Sequence, residues 1–387
     1  MSGHFFKDLK KGLKIRDYPT AGKNAYFLRI ACQAIPYYLI KTGYSFPPLS
    51  VFIHVNSICN LRCKMCDAGQ KDIHSTFYKN LKGGTDADMS IASFRLIIDK
   101  VKRFKPLIAI PVLEPMLYPD LSEAVAYVTQ SGLKSSVATN GTFLEERAED
   151  LVNSGLSRIV ISLDGTEKIH DRIRGVPGTF KKVINGIGTL DKIKKVKKTA
   201  EPLVFINYVI SELNYSVIHQ FVSELPLDSI TRVDLRPMFY CTEELANKHN
   251  IQFGDKYNAT SVCLAGGIDL KKVDADKVYQ QSLAVSEEYP GKVHLFFNHG
   301  KDELNTYFQD AETFLDDTRC VWPWYTMQVN NDGNVIPFQR CFHNIFGNII
   351  KEEFQSIWNG PKMRQIRQDL QQYGRFPACA RCEGVNF

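Results

Sequence analysis

From residue 51 onward, short β-branched runs alternate with amphipathic stretches six times, and no other feature restricts the fold as much. The runs Val51–Val55, Leu107–Val112, Lys134–Ala138, Arg158–Leu163, Leu203–Ile210 and Arg232–Arg236 read as strands. Between them, Ser90–Phe104 sets Phe94, Ile97, Ile98 and Val101 on one helical face, and Leu121–Gln130, Leu144–Ser154, Phe180–Lys198 and Tyr215–Glu224 follow suit. Such alternation predicts an α/β fold with a parallel sheet and right-handed crossovers. Six units are too few for a closed eightfold barrel. A partial (β/α)6 barrel over 51–239 is expected, with its active site at the C-terminal ends of the strands.

The flanks differ. Residues 1–50 form a basic and apolar leader. Its first 45 residues hold eight Lys/Arg against Asp8 and Asp17, which accounts for the whole net charge of +6. The formally neutral remainder speaks against a nucleic-acid binder, while the leader, residues 1–45, is a candidate peripheral membrane contact. No signal-peptide pattern is visible, so a cytoplasmic location is expected. Residues 240–319 break the rhythm and read as a linker or insertion, with a helical stretch at Leu270–Glu287 and a strand-like run at Val293–Phe297. Residues 320–387 form a small cysteine-rich α+β unit. A hairpin is expected at Tyr325–Val329 and Val335–Phe338 around Asn331-Asp332-Gly333, then a helix over Phe354–Tyr373 broken at Gly360-Pro361.

The chain has ten cysteines, and seven of them fall in two clusters. Directly after the first strand, Cys59, Cys63 and Cys66 make a C-x3-C-x2-C pattern with no fourth cysteine close by. Zinc sites usually close a tetrahedron with four ligands. Three thiolates on a four-iron cubane leave one iron open to a substrate or cofactor, so the loop suggests a catalytic cluster at the top of a barrel.

That pattern, in that place, resembles the radical S-adenosylmethionine (radical SAM) superfamily. The resemblance implies a [4Fe–4S] cluster on Cys59, Cys63 and Cys66 that reductively cleaves SAM to a 5′-deoxyadenosyl radical. A one-electron reductant such as flavodoxin or ferredoxin would serve it. Further motifs agree: Glu114-Pro115 after the second strand, Thr139-Asn140-Gly141 after the third, Ser162-Leu163-Asp164-Gly165 after the fourth, then His170-Asp171-Arg172-Ile173-Arg174-Gly175. By resemblance Glu114 takes the SAM amino group, Ser162 and Arg174 its carboxylate, and Met65 packs on adenine. Asn140 belongs to the same SAM-binding set. Where the family usually has two glycines before this Glu, the chain has Val112 and Leu113.

Cys320, Cys341, Cys379 and Cys382 would close either a zinc site or an iron–sulfur cluster. The tail resembles the SPASM/twitch extension of the same family. Its full pattern has a cysteine where this chain has Phe338, so one auxiliary [4Fe–4S] cluster is implied. His343 is read as a neighbour of Cys341 and not as a ligand. Cys32, Cys241 and Cys263 stand apart. The expected activity is radical SAM oxidoreductase chemistry on a small molecule (sugar, aminocyclitol or nucleoside-like), favoured over a peptide. A two-electron oxidation assisted by the auxiliary cluster leads. The alternatives are an epimerase with Cys241 as hydrogen donor, a ribosomal-peptide maturase, and a zinc-binding interaction protein.

Overall fold

The computed structural model describes residue 29, residues 32–33, 35–82, 85–296 and 300–382. Ten strands make one sheet in the order β10-β9-β8-β1-β2-β3-β4-β5-β6-β7. Strands β1 (Ser50–Ile53), β2 (Leu107–Ile110), β3 (Ser135–Thr139), β4 (Arg158–Ser162), β5 (Leu203–Ile210) and β6 (Arg232–Pro237) run parallel in chain order. They fall on the six expected runs. The sheet is open, with β7 and β10 at its edges, as a partial barrel requires.

The helices between the strands bury the faces foreseen from their periodicity. Helix α1 (Ile91–Val101) buries Phe94, Ile97, Ile98 and Val101, and Ser90 caps its N-terminus by accepting from the Ser93 N–H. Helices Leu121–Gln130, Leu144–Asn153, Thr179–Lys197 and Ile218–Ser223 cover the next crossovers. Strand residues Ile159, Ile161, Ile206, Tyr208, Val233 and Leu235 are fully buried beneath them.

Two segments extend the sheet beyond the six units. Within 240–319, a helix at Ala275–Glu288 leads into β7 (Val293–Leu295), a further parallel strand beside β6. In the tail, β8 (Thr326–Val329) pairs parallel with β1 from Ser50↔Thr326 to Ile53↔Val329. The expected hairpin continues through β9 (Asn334–Ile336), with Gly333 in the left-handed conformation at its turn, and β10 (Gly347–Asn348) follows. The cysteine-rich tail is thus hydrogen-bonded into the barrel sheet. Its helix is broken where expected, into Phe354–Trp358 and Pro361–Tyr373. Trp324 and Trp358 are fully buried in this tail.

Most of the basic leader lies outside the described residues, and with it the expected membrane contact. Its described part packs on the body. Arg29 donates to the Lys105 and Phe104 carbonyls, and the Tyr37 ring meets Trp324 edge-on at 4.9 Å. No helix among the described residues is long and apolar enough to cross a membrane.

Candidate active site and auxiliary cysteine site

Beyond the C-terminal end of β1, the chain runs into the Cys59–Cys66 loop, and a helix of the fourth crossover holds that loop in place. The helix α2 (Glu167–Arg174) presents its last carbonyls to the loop. Arg62 N–H donates to the Arg174 carbonyl at 3.1 Å and Lys64 N–H to that of Ile173 at 2.9 Å. Gly175 ends α2 at φ +75°, and a Cβ there would stand 2.8 Å from the Arg62 carbonyl oxygen. Only glycine allows so close an approach in that conformation. Gln70 closes the loop from the other side by donating to the Cys63 carbonyl at 3.0 Å.

Two polar side chains reach the sulfurs. Arg174 Nη1 lies 3.6 Å from Cys63 Sγ, and Asn140 Nδ2 lies 3.9 Å from Cys59 Sγ. Asn140 also donates to Asn60 at 2.8 Å, tying the turn after β3 to the cysteine loop. Burial pushes the Cys59 thiol up to about 12 and that of Cys66 to about 11. These thiols stay protonated until a metal displaces the proton, as cluster ligands do. Donors aimed at sulfur suit the thiolate state, so the residues present fit an iron–sulfur cluster.

Glu114 is fully buried at the head of a short helical turn. Its carboxylate accepts from Thr139 Oγ1 at 2.6 Å, Asn140 N–H at 2.7 Å and Met116 N–H at 2.9 Å. Burial raises its pKa, and those three donors oppose the rise. Val112 and Leu113, in the place of the family's glycines, stand at φ +64° and +53°. The loop therefore keeps a glycine-like backbone in bulkier residues, at about 1–2 kcal/mol each, and delivers the Glu114 N–H to the Ile58 carbonyl at 3.1 Å.

Sequence reasoning quoted Asp164 without giving it a task. It is fully buried and pairs with Arg174 at 2.5 Å. Burial works against the Arg174 charge, but Asp164 and Cys63 more than hold it. His170, also fully buried, accepts the Asp164 N–H at its Nδ1, and burial lowers its pKa to about 3. Asp171 holds the next helix, accepting from Gly178 N–H, Thr179 Oγ1 and Phe180 N–H. The signal for Asp164 was Ser162-Leu163-Asp164-Gly165, and for the other two the run His170-Asp171 ahead of Arg174. Ser162 ends β4 in register with Asn207, and Met65 is half-buried against the core.

Cys341, Cys379 and Cys382 border Thr76 of helix α3 (Thr76–Lys82), and Lys82 of that helix donates to the Ser57 carbonyl at 2.7 Å. Asn80 of α3 donates to the Gln339 and Cys341 carbonyls, and its Oδ1 meets the His343 ring at 2.8 Å. His343 is thus engaged with Asn80. Burial pushes the Cys320 and Cys379 thiols up to about 12. The Cys341 thiol is raised by burial and by the neighbouring Cys382, Cys379 and Cys320, so the four side chains share one locality.

Cys241 sits beyond the end of β6, where its backbone bridges Val262. It is buried, and lines a small recess with Cys341, Cys379, Cys382, Thr76 and Arg340. It therefore borders the auxiliary cysteines. Cys263 directly follows Val262 and donates its N–H to Asp67, the residue after Cys66, at 2.8 Å.

Family comparison agrees with this geometry. The radical SAM superfamily matches residues 53–216, and the SPASM iron–sulfur cluster-binding domain matches residues 320–383. An Fe-coproporphyrin III synthase of Methanosarcina barkeri is 31% identical over 340 residues, covering 84% of this chain and 77% of that protein. The chain belongs to the radical SAM superfamily. Its cofactors are accordingly SAM, the [4Fe–4S] cluster that binds it, and an auxiliary [4Fe–4S] cluster. An AdoMet-dependent heme synthase of Nitratidesulfovibrio vulgaris is 35% identical over 138 residues, only 35% of either chain. Streptococcus suis SuiB bound to S-adenosylmethionine has the same fold at TM-score 0.58, with 16% identity over 94% of this chain and 78% of that one.

Proposed function

We propose that this radical SAM enzyme removes a hydrogen atom from a C–H bond of a small-molecule substrate and completes a two-electron oxidation. Bound at Cys59, Cys63 and Cys66, the cluster supplies the electron that splits SAM into methionine and the 5′-deoxyadenosyl radical. Around it, Glu114 anchors the SAM amino group, and Arg174 and Ser162 take its carboxylate, a contact suited to a guanidinium. Asp164 keeps Arg174 charged and aimed, while Met65 and Asn140 border the nucleoside. An auxiliary cluster held by Cys320, Cys341, Cys379 and Cys382 would supply an acceptor for the second electron, with the proton passing to water, so that loss of a hydrogen atom, an electron and a proton sums to a two-electron oxidation.

The observation that carries this reading is the pairing of β8 with β1. That pairing joins the cysteine-rich tail to the strand that leads into the Cys59 loop, which supports a role for the auxiliary site as electron acceptor. The small-molecule class draws support from the heme and coproporphyrin synthases among the relatives. The rival reading uses Cys241 as a hydrogen donor in an epimerase. Its thiol, pushed up to about 12 by burial, stays protonated as a donor must.

Turnover in D2O separates the two. Oxidation predicts a product two mass units lighter than substrate with no deuterium at the reacting carbon, and full activity in Cys241→Ala. One deuterium at an inverted centre, lost in Cys241→Ala, would overturn the oxidation.

A further inference from the structure

A short stretch of the tail, Gly374-Arg375-Phe376, is hydrogen-bonded to two of the four auxiliary cysteines. The Gly374 carbonyl accepts the Cys320 N–H at 2.9 Å, and the Phe376 carbonyl accepts the Cys379 N–H at 2.9 Å. Arg375 therefore stands between the attachment points of Cys320 and Cys379, just beyond the end of helix Pro361–Tyr373. Its guanidinium lies over the Phe314 ring, 4.3 Å from the centroid, and 3.3 Å from Asp316 Oδ1, and it donates to the Asp316 carbonyl. Ring, carboxylate and carbonyl together fix the plane of the fork. The Asp316 side chain lies further out, 26% exposed against 7% for Arg375, so solvent screens the carboxylate more than the cation.

The charge of Arg375 reaches both thiols. Burial raises Cys320 and Cys379, and Arg375 opposes the rise in each, alongside a main-chain hydrogen bond from Trp322 or Phe376. Such a cation counts most when the site is loaded. A four-iron cubane on four thiolates is an anion and gains one more negative charge on reduction, and its potential follows net charge, hydrogen bonds to sulfur and exposure. A fixed guanidinium beside two of the ligands stabilises the thiolates and, more strongly, the reduced form. Arginines also immediately precede Cys320, Cys341 and Cys382. Arg319 donates to the Gln371 carbonyl, Arg340 stands over the Phe77 and Phe239 rings, and Arg381 donates to the Tyr307 and Thr313 carbonyls.

We propose that Arg375 sets the reduction potential of the auxiliary cluster, holding it high enough to take the substrate's second electron. The inference rests on the reading of this site as an electron acceptor and names the residue that fits it for the task. Arg375 acts through the cluster and is a positioning residue. A purely structural tie, in which Arg375 only anchors Asp316 to the tail, is the competing account.

Anaerobic redox titration followed by electron paramagnetic resonance decides between them. It is run on the fully loaded protein and on the full chain with Cys59, Cys63 and Cys66 replaced by Ala, where the auxiliary cluster contributes alone. Arg375→Gln should lower the midpoint, shifting the reduced-to-oxidised ratio at a fixed poise roughly tenfold towards the oxidised form, or ~59 mV for one electron. Arg375→Lys, which keeps the charge and loses the fork, should recover most of that shift. Asp316→Asn removes the opposing carboxylate and should move the ratio the other way. Iron analysis reports whether each variant is loaded. A structural tie predicts lost iron or stability, with the midpoint unmoved in the protein that still loads. An unmoved midpoint in loaded Arg375→Gln, or an Arg375→Lys midpoint as low as that of Arg375→Gln, would overturn the inference. Should Arg375→Gln fail to load, Asp316→Asn decides: a raised midpoint supports the inference, and an unmoved or lowered one overturns it. Turnover of the unaltered protein in D2O is followed separately. Deuterium at an inverted centre would count against the proposed oxidation, whereas the midpoints bear on Arg375 alone.

Discussion

Gly175→Ala should damage the cysteine loop more than its own helix, and two other glycines separate the causes. Gly178 has φ +81° with nothing within 4 Å of an added Cβ, so Gly178→Ala reports the left-handed backbone alone, about 1–2 kcal/mol. Gly69 has no such conformation, but its Cβ would stand 2.9 Å from Cys63 N, so Gly69→Ala reports crowding alone, about 1–3 kcal/mol. Gly175→Ala combines φ +75° with a 2.8 Å approach to the Arg62 carbonyl, a backbone atom that cannot swing aside. The two terms together come to about 2–5 kcal/mol. Relief requires the loop to withdraw from α2, which stretches the Arg62–Arg174 and Lys64–Ile173 hydrogen bonds. Anaerobic urea unfolding of the apo protein measures the stability loss, and iron analysis after reconstitution measures the site. Gly178→Ala should keep its full iron content, and Gly175→Ala should lose the share bound by Cys59, Cys63 and Cys66. Equal stability loss in Gly175→Ala and Gly178→Ala, with full iron in both, would refute the reasoning.

Reconstituted protein should hold about eight Fe per chain, four per cubane at two sites; four irons with one tightly held zinc would make the tail a zinc module. Replacing Cys59, Cys63 and Cys66 together by Ala should abolish 5′-deoxyadenosine formation under reducing conditions, as followed by chromatography. Asp164→Ala should cost about 3–5 kcal/mol in urea unfolding, since it strands the buried Arg174 charge; a loss below 1 kcal/mol would count against the pair. Burial lowers His54 and His170 to about 3, so both are neutral in the folded chain. Their contribution is fully present above the unfolded value near 6.5 and is lost as pH falls from there towards 3, at up to about 2.7 kcal/mol per pH unit for two protons. Unfolding free energies at pH 7.5 and 5.5 check this, and a flat profile in that window would contradict it.

The barrel was legible because its strands and helices obey two short periods, and both are local. Val51–Val55 and Ser90–Phe104 declare themselves within a dozen residues. The tail hairpin was equally plain from Asn331-Asp332-Gly333. What the sequence hid was long-range. Nothing near Thr326 states that it will pair with Ser50, because parallel pairing depends on matching buried faces across the whole chain. Val293 looked like part of an interruption because its strand is short, and the helix before it was read with a different start. The positive φ of Val112 and Leu113 was also invisible: propensity favours extended backbone for both, and the surrounding loop overrides it. Asp164 and Thr139 stood inside quoted motifs without a task, because theirs is to hold Arg174 and Glu114, residues distant in the chain that no local pattern names.

The pairing of β8 with β1 also bears on how the two cysteine sets communicate. Were the tail a separate module on a flexible connection, the distance between its cluster and the barrel mouth would fluctuate, and electron transfer with it. Here four successive residue pairs fix the tail in register with the strand that leads into Cys59. Asn80 adds a second fastening, from the helix that follows Cys66 to the carbonyl of Cys341. A third comes from Arg367, whose buried guanidinium donates to the Gly43, Pro323 and Trp358 carbonyls and so joins the segment before β1 to the tail. Three independent attachments, one in the sheet and two through side chains, leave the auxiliary site little freedom to move relative to the barrel. Under the proposed oxidation, a substrate radical at the mouth would meet its acceptor at a set distance at every turnover, which a tail on a flexible connection could not provide.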